Sequence, residues 1–481
     1  ILPMRRILKN YLSGVAVAVM LFTNGNAYGQ KAWSLQECVA YALENNISVK
    51  QNEISSSLAE LSVQQNRFSM LPTLNASAGR NWNFGRTIDP NTNTFTTQQV
   101  ESDNLSLNSN VTLFNGFQLQ NTLKQSRLDY MASKSDIDKI RNDISLNVVS
   151  AYLQVLYAKE QLNVAAGRVK QATENRDRVN RMVDAGTMVR GNLLDAESQL
   201  ASEELSKITA ENQLVTAKLT LTQLLQLPTA DGFDVQDPAV SIPEAQVMSM
   251  TPAQLYELSL KALPEIKAAE IRVNSAEKGV SIARGSYMPR LSAFGSLSSF
   301  YSSSSKRLKS VDFAGFNPSG DVTSGGDTVL SPTFNTILES NPYGDQLDEN
   351  YNKAFGISLS IPIFNGLSTR TNVKRARLNL ENAKYAAQLT RNQVYQSIQQ
   401  AHTDALAARK RYDATQRSLA AFEEAFVYAE KRFNAGLTNS LEFLTASNNL
   451  TRTRVELLQA KYDYIFRVKV LDFYAGNPLT F

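Results

Sequence analysis

The residues that build most catalytic and metal sites are almost missing from this chain of 481 residues. Cys38 is the one cysteine and His402 the one histidine. A single cysteine excludes an intrachain disulfide. Together the two leave no material for a zinc site, a Cys–His nucleophile pair or a Ser-His-Asp triad. His402 falls inside a long helical pattern and reads as an ordinary helix residue. No catalytic, cofactor-binding or metal-binding set can be assigned, and the sequence does not read as that of an enzyme.

Proline is absent from 91–227 and again from 363–477. Such stretches permit very long helices. An excess of one charge is missing too. The first 29 residues read as an export leader, with Arg5, Arg6 and Lys9 ahead of an apolar stretch at 12–22 and small residues at Ala27 and Gly29. Without those three basic residues the chain carries 46 basic and 45 acidic side chains. That balance gives no nucleic-acid footprint. Beyond the leader no run of 18 apolar residues occurs, so no transmembrane helix is expected. An exported chain of this kind is either soluble or crosses a membrane as a β-barrel.

What is present is present twice. Residues 34–79 align without a gap on 251–296, and 111–228 on 361–478. Lys50, Glu53, Ile54, Arg67 and Pro72 recur as Lys267, Glu270, Ile271, Arg284 and Pro289. Phe114-Asn115-Gly116 recurs as Phe364-Asn365-Gly366, and Ala185-Gly186 as Ala435-Gly436. The offset changes from 217 to 250, which places a 33-residue insertion in the second copy. A unit of about 200 residues is too long for a solenoid repeat. The divisions expected are a leader (1–29), a first repeat (30–228), a linker (229–250), a second repeat (251–478) and a tail (479–481).

Within each copy the period changes. Val148, Ala151, Val155, Ala158, Leu162, Ala165 and Val169 follow steps of three and four, as do Val394, Ile398, Ala401, Ala405 and Ala408. This is a heptad seam sustained over several repeats. It predicts one helix over 117–184 and return helices over 188–226 and 438–474, with glycine at each reversal. A further helix is expected over 35–69. Leu105, Leu107, Val111 and Leu113 alternate instead with Asn and Ser, and Phe355 to Ile363 alternate likewise. Period two with one apolar and one polar face predicts strands. Their partners should begin after Pro72 and Pro289, over about 73–84 and 290–301. Strands of about 10 residues match a tilted barrel crossing. Segments 85–103 and 302–353 are then polar loops, the second an enlarged one outside the cell.

Four strands per chain cannot close a membrane barrel, because an open edge in hydrocarbon leaves backbone groups unpaired. Two copies would supply eight strands and three would supply twelve.

With the repeat, the helix–strand–strand–helix order, the Phe-Asn-Gly turns and the tips around Gly186 and Gly436, the chain resembles the TolC-type outer-membrane efflux family over nearly all of its length. The resemblance implies a mixed α and β membrane protein. It implies a homotrimer whose twelve-stranded barrel sits in outer-membrane lipid and continues into a long periplasmic coiled-coil barrel. It also implies a duct without cofactors that meets a periplasmic adaptor protein and an inner-membrane pump. By position, the adaptor-facing tips would be Ala185, Gly186, Thr187, Ala435, Gly436 and Leu437. Family members carry acidic residues near the entrance. The matching positions hold Asn192 and Asp195 in the first copy, and Glu442 and Thr445 in the second. Glu442 and Asp195 are the expected entrance gate. The function implied is an exit duct for small molecules, with a protein-secretion duct as alternative. An exported coiled-coil adhesin explains the helices but neither the strands nor the glycine tips.

Overall fold

Pro72 and Pro289 each stand just ahead of a strand, four residues after helices that end at Phe68 and Gly285. The computed structural model describes residues 32–88, 93, 95–97, 99–230, 232–237 and 246–477. The expected leader, much of the linker and the C-terminal tail lie outside the described residues. The chain divides into two units.

The unit comprising 57–131 and 271–385 holds the sheet. Its strands are β2 (Thr73–Asn83), β5 (Val100–Asn115), β7 (Arg290–Ser302) and β10 (Asn352–Ser360). The order is β10-β7-β5-β2, antiparallel throughout. Register sorts the side chains into two faces. Ala76, Leu107, Leu297 and Lys353 lie in one row, and Val111, Ala293 and Ile357 in another. The opposite face carries rows such as Asn75, Asn108, Ser296 and Ala354, or Ser77, Ser106, Ser298 and Asn352. Ser77 and Ser106 are joined by a 2.7 Å hydrogen bond. The polar face is built of Asn, Ser and Thr, with Phe294 and Phe300 among them, and its one charge is Arg290 at the helical end. On the apolar face Arg80 grips Asp103 through two 2.7 Å bonds, at the end far from the helices.

Two details depart from the simple alternation. A bulge between Thr112 and Phe114 takes Leu113 out of the ladder. β10 stops at Ser360 although the apolar pattern runs to Ile363, because Pro362 has no N–H to donate.

The long segments between strands are not plain loops. Thr87–Ile88 (β3) and Phe95–Thr96 (β4) pair inside 85–103. Most of 302–353 is a ribbon of β8 (Lys306–Val322) and β9 (Thr328–Ser340), followed by a short helix, Tyr343–Glu349.

The strand-to-helix turns use two left-handed residues in succession, Gly116-Phe117 (φ 66°, 61°) and Gly366-Leu367 (φ 62°, 64°). Glycine takes this conformation freely, whereas Phe117 and Leu367 are held there by the turn.

The other unit comprises the described parts of 1–56, 132–270 and 386–481. Here the expected helix over 35–69 is two helices, α1 (Leu35–Asn45) and α2 (Ile47–Phe68), with an extended residue, Asn46, between them. Asn46 Oδ1 accepts the amide of Ser48 and so starts the second helix. The second copy breaks at the equivalent Leu263, ahead of Pro264. Helices Gln118–Asp184 (α3) and Arg190–Leu224 (α4) match helices Ser368–Asn434 and Ser440–Tyr474 at the repeat offset. Val148, Val155 and Ala158 of the seam are fully buried, with Leu35, Cys38, Leu221 and Ile465. Ile398 and Ala405 of the second seam pack with Leu255, Ile266 and Leu471. Burial pushes the Cys38 thiol up to about 12.

A two-residue parallel pairing, Ala32–Trp33 (β1) with Asp234–Val235 (β6), closes over the first core. The Tyr152 hydroxyl donates to the Gln236 carbonyl at 2.8 Å. Lys159 and Lys218 both approach Asp234, at 3.0 and 3.1 Å. Burial alone would raise this carboxyl, but the two lysines outweigh it and hold it below the usual aspartate value.

Two outcomes follow. A Cβ at Gly116 would collide with the Gly285 carbonyl oxygen, whereas Gly366 faces open space. Gly116→Ala should therefore lower the thermal midpoint more than Gly366→Ala, which carries only the left-handed penalty of about 1–2 kcal/mol. Asp234, with its pKa depressed, contributes stability above the unfolded aspartate value and loses it as pH falls through the folded value. The stability gap between the native chain and Asp234→Asn should thus shrink on acidification, as read by thermal melts across pH.

Candidate functional site at the helical tips

The two reversals share one backbone. Gly186 and Gly436 are left-handed, at φ 72° and 71°. The Thr187 amide donates to the Met182 carbonyl and the Gly186 amide to Val183, both at 2.9 Å. In the second copy Leu437 donates to Arg432 at 2.9 Å and Gly436 to Phe433 at 3.0 Å. Each is a complete Schellman stop, which satisfies the last carbonyls of the long helix and turns the chain within a few residues. All six residues expected at the tips lie on these turns and are exposed.

The side chains differ. At the second tip Asn439 caps the return helix by accepting the Glu442 amide at 3.0 Å. Glu442 then reaches back across the turn to Arg432 at 3.0 Å, and Thr438 donates to its other oxygen. Phe443 is buried, stacked on Phe433 at 4.9 Å and packed against Phe426 at 5.7 Å. At the first tip these positions are Met182, Met188, Val189, Asn192, Leu193, Val183 and Arg176. Val189 supplies no side-chain cap. One tip is clamped by an ion pair and an aromatic stack, while the other adds to its backbone only the Thr187 hydroxyl, which donates to the Met182 carbonyl at 2.8 Å.

The expected gate residues are therefore unlike. Glu442 is half exposed and already paired within the chain. Asp195 is exposed on the first turns of α4. Asn439 three residues before Glu442 is a legible helix-start signature, but it carries no sign of the Arg432–Glu442 pair.

Further along the same helices Arg168 meets the buried Glu203 at 2.6 Å. Glu203 Oε2 has no hydrogen-bond partner among the described residues. Burial, only partly opposed by Glu203, holds the Arg168 guanidinium below its usual range. A cavity of about 160 Å³ opens beside the pair, lined also by Asn175, Glu430 and Phe443. Among the described residues no cluster of His, Cys, Asp and Glu could hold a metal ion, and no helix is long and apolar enough to cross a membrane.

Gly186→Val and Gly436→Val should each strain the reversal by about 1–2 kcal/mol or more. The amides of Thr187 and Leu437, which close the motifs, should exchange faster with solvent, while protection in the four-stranded sheet stays unchanged. The loss should be smaller at Gly436, where the ion pair and the stack remain.

The model of the outer membrane efflux protein family matches residues 39–226 and 255–477. The outer membrane efflux protein BepC of Brucella suis biovar 1 is 23% identical, over 94% of this chain and 87% of that protein. The alkaline protease secretion protein AprF of Pseudomonas aeruginosa is 24% identical, over 69% of this chain and 61% of its own length. The crystal structure of CusC superposes with a TM-score of 0.72 at 18% identity, covering 94% of this chain and 96% of CusC. The chain belongs to the outer membrane efflux protein family: it is an exit duct of the outer membrane, a transport protein and not an enzyme.

Proposed function

We propose that three copies of the chain close one barrel of twelve strands, and that this barrel passes small molecules handed over by a periplasmic adaptor and an inner-membrane pump. One observation carries the reading. The sheet has an apolar face, a polar face and two unpaired edges, β2 on one side and β10 on the other. In hydrocarbon each unpaired backbone group costs several kcal/mol. Edge β10 of one copy pairs with edge β2 of the next, which leaves no edge. The apolar rows then meet lipid, and the Asn, Ser and Thr rows line a water-filled lumen. Barrels of twelve strands leave such a lumen, whereas eight are filled by their own side chains.

The tips around Ala185, Gly186, Thr187 and Ala435, Gly436, Leu437 are the adaptor-facing surface. Asp195 and Glu442 ring the entrance. Like charges gathered around one axis attract cations. Because Arg432 offsets Glu442 inside each chain, Asp195 supplies the larger share of that field.

Mass measurement in detergent should give a trimer; a stable folded monomer would refute the closure. In planar bilayers, Asp195→Asn should reduce cation selectivity more than Glu442→Gln. Unchanged selectivity in the double variant would remove the gate assignment and leave the duct standing.

A further inference from the structure

The polar face of the sheet is a wall of small side chains with one exception near its middle. From the row of Ser77 and Asn352 to the row of Thr112 and Ser358 the residues on this face are Ser, Asn, Thr, Ala and Gly, apart from Phe294. These rows cover about 20 Å of wall at ~3.4 Å per residue. The width of the space beside them is therefore decided by where one ring lies.

The ring lies against the wall. Phe294 pairs in register with Gly356 on the edge strand β10. A Cβ built at Gly356 would meet the Cζ and Cε1 atoms of Phe294 at 2.7 and 2.9 Å, so the ring occupies the place where a side chain would start. Phe294 is 46% exposed, and Gly356 alone of the nine residues of β10 is not exposed. Glycine inside a strand weakens it, and such a glycine serves either an unusual backbone conformation or a close approach. Gly356 is not among the residues with positive φ, which leaves the close approach. Gly79 on the same face is different: a Cβ there would meet nothing within 4 Å.

We infer that Phe294 sets the size limit of the barrel, and that Gly356 keeps the passage wide by giving the ring a seat against the wall. The inference rests on the reading that this face lines a lumen. Three copies would then bring three rings to one height around one axis. Seated on Gly356, a ring takes up little more than its own thickness, about 3.5 Å. A methyl group beneath it removes the seat. Asn110 lies on the other side of Phe294 in its row, and Ser292 and Ser296 flank it along β7. The direction left for the displaced ring is away from the wall, toward the axis. Narrow solutes pass in either arrangement, whereas bulky ones pass only while the ring is seated.

The test places a cysteine at Ser360, on the same face but nearer the helical end, in the full-length protein, whose native Cys38 is buried. Whole cells are treated from outside with membrane-impermeant maleimides of graded size. Those too bulky to cross the outer membrane elsewhere reach Ser360→Cys only by passing Phe294. Adding Gly356→Ala should lower the largest size that still reacts. Gly79→Ala puts the same methyl group on the same wall over open space and should leave that limit unchanged. Phe294→Ala should raise the limit and, combined with Gly356→Ala, should cancel the effect of the methyl group. Equal limits in the Ser360→Cys chain with and without Gly356→Ala or Phe294→Ala, all of them trimers by mass, would overturn the inference and leave the lumen standing. Failure of every reagent to label Ser360→Cys would instead remove the lumen reading beneath it.

Discussion

The constraint on which everything else depends is the backbone hydrogen bonding of a four-stranded sheet. Inside β2, β5, β7 and β10 the central ladders are satisfied, but one side each of β2 and β10 is not. In water such edges can be solvated; in hydrocarbon they cannot. In the proposed trimer the demand for a neighbouring copy comes from the backbone before any side chain is consulted. The repeat has the same logic. Each copy supplies one hairpin, both copies are joined through β5 and β7, and the same kind of junction is what a neighbouring copy must reproduce.

The duplication also shows which features the architecture demands and which have drifted. Capping boxes Ser34–Glu37 and Thr251–Gln254 occupy equivalent positions. The left-handed stop after the return helix is Gly476 in the second copy and Gln226 in the first, at φ 82° and 59°. A glutamine held left-handed costs energy that glycine does not. The backbone path has therefore outlasted the residue best suited to it. At the tips the path is kept at both positions, while the ion pair and the aromatic stack exist at only one.

Much of the fold was legible because its periods are long. Alternation from Leu105 to Val111 and the seam from Val148 to Val169 each extend over enough residues to fix element type. The breaks at Asn46 and Leu263 were less visible, because a single extended residue leaves the apolar spacing on either side intact. Pro264 marks one of them; at Asn46 only a local side-chain bond does. The ribbon at 306–340 was hidden for another reason. Its register shifts disrupt strict alternation, so a real apolar face reads as an irregular polar loop. At the tips, glycine announced the turns, but the pairing of Arg432 with Glu442 depends on two helices lying side by side, which sequence spacing alone does not give.

The polar face of the sheet holds amides and hydroxyls and almost no fixed charge. A wall of that kind wets well, because Asn and Ser bond water as readily as water bonds itself. It gathers no excess of counter-ions, so ions of both signs partition into the space beside it much as they do in bulk solution. In the proposed barrel, solutes of either sign would meet no fixed charge on this wall except Arg290 at its helical end. In the proposed trimer, discrimination between them would fall to the tips, where Asp195 and Glu442 lie, and the barrel would be a passage rather than a filter of charge.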